Sequence, residues 1–112
     1  MEEEKIDIAQ AILLIKDLLR DHLITYLKHV GIRELYTDDL RKLISLMIDW
    51  YDGKMNEYEF VTSIQNILLN YQTREKPSKI AIGLVEHLKN VIRKACEEFG
   101  IDTGEEPFFR NF

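Results

Sequence analysis

The sequence predicts an all-α protein, an antiparallel bundle of four helices followed by a short aromatic C-terminal tail. Apolar residues recur every three or four positions through most of the chain, which is the period of an α-helix. No segment alternates apolar and polar residues for long, so we expect no strand. The connections near residues 31–36, 53–55 and 73–77 are short, which favours antiparallel neighbours. A chain of 112 residues has the size of one domain, here residues 1–100, with residues 101–112 as the tail.

The first helix is predicted over about residues 3–30, with its apolar side chains stacked on one face. Glutamates at positions 2–4 suit the positive end of the helix dipole, and Gly31 suits a left-handed C-terminal cap. The apolar stripe consists of Ile8, Ile12, Ile15, Leu19, Leu23, Leu27 and Val30, and is widened by Ala11, Leu14 and Leu18.

The second and third helices are predicted over about residues 38–52 and 57–73, joined by an Asp-Gly turn. Thr37 is the expected N-cap of the second helix. Asn56 is the expected N-cap of the third, with Glu59 three residues later, where a capping box places an acid.

The fourth helix is predicted over about residues 78–99. Either Ser78 caps it or Pro77 occupies its first position, and Gly100 ends it. Its stripe consists of Ala81, Leu84, Val85, Leu88, Val91, Ile92, Ala95 and Phe99.

Residues 52–60 resemble the second half of an EF-hand calcium loop. In that register Ile48 and Trp50 stand at the first and third loop positions, where calcium needs oxygen ligands. A turn followed by a capping box explains the same residues, so we expect no calcium site.

The histidines and the single cysteine do not form a recognisable catalytic or metal motif. His22 and His29 are separated by about 10 Å of helix axis, too far to share one ion directly, and His87 is distant in the sequence. Cys96 lies on the apolar side of the fourth helix, out of reach of His87 if that helix is straight. We therefore predict no catalytic residue, no cofactor, no metal and no enzymatic activity.

The charge and composition favour a soluble protein of a reducing compartment. The net charge is −5 and the pI about 5.2, which disfavours non-specific nucleic-acid binding. The N-terminus does not resemble a secretory signal, and no apolar run approaches the ~20 residues of a membrane span. We expect a cytoplasmic protein. The abundance of Ile, Leu, Glu and Lys suits a thermophile or an AT-rich genome.

A basic segment in and before the fourth helix is the candidate contact for an anion or nucleic acid. Its residues are Lys76, Lys79, Lys89 and Arg93. The alternative is that cations near the helix C-terminus complement the dipole. A DNA-reading helix–turn–helix is disfavoured, because Glu57 and Glu59 at the start of the third helix would repel phosphates.

The tail offers three aromatic side chains, Phe108, Phe109 and Phe112, as a candidate partner contact. They either fold back onto the bundle, which we favour, or insert into a pocket of a partner. The first helix is longer than its neighbours, and apolar surface that they leave uncovered calls for a second chain.

The sequence thus predicts a small, non-catalytic, helical protein–protein interaction subunit that self-associates as a homo-oligomer. The alternative is an accessory helical small subunit of a nucleoprotein complex, of the nucleic-acid-guided effector type, that uses the basic face of the fourth helix.

Overall fold

The computed structural model describes residues 6–112 and confirms the all-α prediction, with no strand in that part of the chain. The elements are α1 (Ile8–His29), α2 (Thr37–Tyr51), α3 (Glu57–Leu68), α4 (Pro77–Phe99) and a final 3₁₀ turn (Pro107–Phe109).

The four helices form an elongated bundle of 52 × 25 × 22 Å. The long helices α1 and α4 pack along each other, α4 also packs on α3, and α2 contacts both α1 and α3. The pairing of α1 with α4 is antiparallel, because Tyr26 lies at Gly83 while His22, one turn earlier, contacts His87, one turn later. No helix within residues 6–112 combines the length and hydropathy needed to cross a membrane.

The core is a single apolar cluster to which all four helices and the tail contribute. In the described residues it buries no charged side chain, and the hydroxyl of fully buried Tyr51 donates a hydrogen bond to the main-chain oxygen of Ile12 at 3.1 Å. That bond satisfies the one polar atom that burial of this ring would otherwise leave unpaired. The largest fully buried side chains include Tyr51, Phe60, Phe109, Leu19, Leu23 and Met47.

Two predicted helix boundaries were wrong. Asp7, at the N-cap position of α1, has an extended backbone and makes no side-chain capping bond, so the helix begins at Ile8 rather than near residue 3. The glutamates at 2–4 lie outside the described residues. α3 ends at Leu68 rather than near residue 73. From residue 70 on, the main-chain hydrogen bonds reach back three residues instead of four, and Tyr71 lies outside the helix. The Tyr71 hydroxyl donates to Asp39 Oδ2 at 2.6 Å and accepts the N–H of Tyr36 at 3.0 Å. These bonds direct Tyr71 to the start of α2.

The helix ends agree with the sequence prediction at Asn56, Pro77 and Gly100, but not at Thr37. Asn56 Oδ1 accepts the Glu59 N–H at 2.8 Å, as the capping-box pattern predicts, and Pro77 occupies the first position of α4. Gly100 ends α4 in the left-handed region at φ 70°. The prediction for Thr37 was wrong, because it is the first residue of α2 and its side chain makes no capping bond.

Candidate interaction surface between the two long helices

A surface groove runs between α1 and α4 and encloses about 390 Å³. We call it the α1–α4 groove. It is lined by Leu18 and His22 from α1 and by His87, Asn90, Val91, Lys94, Ala95 and Glu98 from α4. It therefore combines an apolar floor, a pair of histidines and a rim that carries charges of both signs.

Apolar side chains that the bundle leaves uncovered continue the groove along α1. Leu18 is 37% exposed, and Leu14, one turn earlier on the same face, is 39% exposed. The fully buried residues of α1 recur at steps of four, which places Leu14 and Leu18 at the edge of its apolar face. Single exposed leucines are ordinary, but two neighbouring ones beside a groove make it a candidate contact surface.

The rim of the groove carries one lysine and one glutamate that are exposed. Lys94 and Glu98 lie one turn apart on α4 and both line the groove. Among the described residues, neither forms an ion pair, whereas Lys89, earlier in the same helix, pairs with Glu57 at 2.9 Å. The rim therefore carries two opposite charges that no ion pair within the described residues neutralises.

At one end of the groove the fold brings together two histidines that are 65 residues apart in the chain. Nδ1 of His22 and Nε2 of His87 lie 3.1 Å apart, and the ring of Tyr26 stacks on His87 at a centroid distance of 5.3 Å. The hydroxyl of Tyr26 lies over Gly83, where a Cβ would overlap it. Burial, together with the nearby charges of His22 and Lys94, lowers the pKa of His87.

Sequence reasoning missed this histidine pair because it compared residues along single helices. The signal that could have found it is a shared spacing. His22 and Tyr26 are one turn apart on α1, and Gly83 and His87 are one turn apart on α4. When α1 and α4 pack antiparallel, one register sets His22 against His87 and Tyr26 against Gly83. In residues 6–112 no group of three or more His, Cys, Asp or Glu side chains converges on one point.

The basic residues that the sequence singles out do not form one patch. Lys79 and Arg93 are separated by about 20 Å along α4 at 1.5 Å per residue. Lys76 caps α4, and Lys79 lies 3.6 Å from Glu75. The ammonium of Lys89 pairs with Glu57 on α3 and Glu86 on α4.

Arg93 has a structural partner in the tail. Its Nε donates to the main-chain oxygen of Phe112 at 2.8 Å, and its guanidinium also donates to Asn90 Oδ1 at 3.3 Å. Of the four predicted basic residues, Lys79, Lys89 and Arg93 thus already have partners within the chain.

The three tail phenylalanines pack on the bundle. Phe109 is fully buried, Phe108 meets Tyr51 edge-on at a centroid distance of 5.0 Å, and Phe112 meets Trp50 edge-on at 5.2 Å. A partner could therefore reach Phe109 only by displacing the tail. Cys96 is also buried, which raises the pKa of its thiol and leaves it in the unreactive neutral form.

A crevice of about 550 Å³ lies between the tail and the turn that joins α2 to α3. Lys89 and Glu57, which line it, neutralise each other. Tyr51 also lines it, and burial holds the pKa of this phenol far above its ordinary value.

Comparison with models of known protein families, with curated proteins and with solved structures found no match to this chain.

Proposed function

We propose that this protein is a small helical interaction subunit that self-associates through the α1–α4 groove. The observation that supports the proposal most is the pair of exposed leucines, Leu14 and Leu18, beside partly buried Val91, with Lys94 and Glu98 in the same groove. An apolar strip with an unpaired charge of each sign at its edge is typical of a surface that meets a complementary one.

A second copy of the same chain is complementary to this surface. In a two-fold dimer each residue that contacts another is matched by the reverse contact, so the surface must complement itself. Lys94 and Glu98 satisfy that condition, because a two-fold axis between them sets Lys94 against Glu98 of the partner subunit, twice. The two α4 helices then cross antiparallel over the groove and cover Leu14 and Leu18.

The groove is short, since its lining residues on α4 run from His87 to Glu98, about 17 Å at 1.5 Å per residue. A contact of that length buries less surface than an obligate dimer interface does. We therefore expect a concentration-dependent dimer rather than an obligate one.

The nucleic-acid alternative has less support. An accessory subunit of a nucleoprotein complex that used the basic face of α4 would need Lys89 and Arg93 to be available, and both have partners within the chain. The net charge of −5 also opposes it. A cytoplasmic location remains our proposal, since the one cysteine is a free thiol.

Sedimentation equilibrium of the chain over a wide concentration range tests the proposal. We expect the average mass to rise from 13.3 kDa towards twice that value. Leu18→Glu places a charge on the groove floor and should keep the protein monomeric at every concentration. The matched control is Leu69→Glu, since Leu69 lies just beyond α3 and is 62% exposed, and it should dimerise like the parent.

Two outcomes would refute self-association through this groove. One is a parent protein that stays monomeric at millimolar concentration. The other is an equal association constant for Leu18→Glu and Leu69→Glu, measured on variants that circular dichroism shows to be folded.

A further inference from the structure

The histidine pair at the end of the α1–α4 groove has the geometry of a metal site. We propose that His22 and His87 together bind a divalent transition-metal ion of the zinc or nickel type, which replaces the direct contact between the two rings. This proposal is independent of dimerisation, because both ligands come from one chain.

The distance between the ring nitrogens fits one shared ion. A metal–nitrogen bond to imidazole is about 2.0–2.1 Å, so two nitrogens 3.1 Å apart enclose an angle of about 100° at the ion. That angle lies between the octahedral and tetrahedral values. The rings are tilted by 52° with centroids 5.1 Å apart, so modest rotations aim both lone pairs at one point.

The protonation chemistry is balanced without an oxidant or another reactant. When the two neutral rings contact each other, one carries its proton on the nitrogen between them. Metal binding moves that proton, through solvent, to the outer nitrogen of the same ring, and two metal–nitrogen bonds form.

The surroundings determine what kind of site this is. Tyr26 covers one face of the His87 ring, Asn90 lines the groove about one turn from it, and Lys94 contributes a positive charge that weakens cation binding. No third ligand converges in residues 6–112, so water fills the remaining positions. We expect a weak, open and exchangeable site, unlike a closed structural zinc site.

Binding at this site should stabilise the fold, because it links α1 to α4 across 65 residues of chain. A ligand that binds the folded state shifts unfolding by an amount that grows with its concentration. The unfolded chain has no such pair, since His22 and His87 come together only in the bundle.

Thermal unfolding of the full, untagged chain with nickel or zinc chloride provides the test. We expect 1 mM metal at pH 7.5 to raise the Tm by on the order of 5 °C relative to EDTA, and to have little effect at pH 5.5, where protons compete. His22→Gln and His87→Gln should each abolish the rise, while His29→Gln, the matched control, should retain it.

A second measurement keeps the proposal testable if one variant unfolds. Titration calorimetry should give one ion per parent chain and no saturable binding in either pair variant. Repeating it in the Glu98→Lys background, which should weaken dimerisation at a position about three turns of α4 from His87, separates this site from dimerisation, because the stoichiometry should not change. An unaltered Tm of the parent at 1 mM metal, or an equal rise in His87→Gln, would overturn the proposal.

Discussion

Gly83 in α4 is the position where a small substitution tests the packing at the histidine pair most sharply. Alanine in a helix interior is normally more stabilising than glycine by about 0.5–1 kcal/mol. At Gly83, however, a Cβ would overlap the hydroxyl of Tyr26, while the ring carbon that carries this hydroxyl would lie at an ordinary 3.5 Å. Gly83→Ala should therefore displace Tyr26 from its stacking contact with His87.

The expected magnitudes follow from these contacts. Losing the aromatic pair costs about 0.5–1.5 kcal/mol, and exposing part of the ring costs about 1 kcal/mol more, so Gly83→Ala alone should destabilise by roughly 1 kcal/mol. The Tyr26 hydroxyl has no hydrogen-bond partner in the described residues, so Tyr26→Phe should change stability by less than about 0.5 kcal/mol. In the Tyr26→Phe background, Gly83→Ala should stabilise by about 0.5–1 kcal/mol.

Urea unfolding of the four proteins, followed by circular dichroism, measures this cycle. The expected coupling free energy is about 1–2 kcal/mol, well above the error for sites that do not interact. If Gly83→Ala changes the free energy of unfolding equally in both backgrounds, Tyr26 does not lie over Gly83. The placement of the histidine pair would then be wrong as well, since both depend on one register of α1 against α4.

Three further predictions concern the tail, a cap and pH. Phe109→Ala should lower the free energy of unfolding, measured in urea, by about 3–5 kcal/mol. The control Leu69→Ala, at an exposed site, should lower it by less than about 1 kcal/mol. Equal losses would mean that the tail is detached. Asn56→Ala should cost about 1 kcal/mol in the same assay, and no loss would argue against the cap. The lowered pKa of His87 means that the unfolded chain binds more protons. Stability should fall as the pH drops below about 6.5 and level off below the folded-state pKa, and His87→Gln should reduce that slope in unfolding measured between pH 5 and 8.

The parts of the fold that the sequence predicts correctly depend on neighbours in the chain. Apolar spacing identifies all four helices, and the capping bond from Glu59 to Asn56 joins residues three apart. The end of α3 was misplaced because Tyr71 leaves the helix for Asp39 and Tyr36, which belong to the start of α2. That interaction depends on how the helices pack, which no local pattern encodes.

In the candidate site, too, the sequence misses the contacts that form only when distant parts of the chain pack together. Charge counting along α4 picks out Lys89 and Arg93, but their contacts with Glu57 on α3 and Phe112 in the tail arise only in the folded chain. Exposed apolar side chains on α1 were expected, but the reason given for them, a first helix longer than its neighbours, was wrong, because α4 has 23 residues and α1 has 22.

A charge-swap mixing experiment measures the proposed dimer most directly. Lys94→Glu alone, or Glu98→Lys alone, turns both predicted rim contacts into like-charge pairs and should weaken dimerisation about tenfold or more. An equimolar mixture of the two variants restores an opposite-charge pair at both contacts, so sedimentation velocity should show a heterodimer at concentrations where each variant alone is monomeric. A mixture that sediments no faster than its separate components, or single variants that dimerise like the parent, would contradict the account.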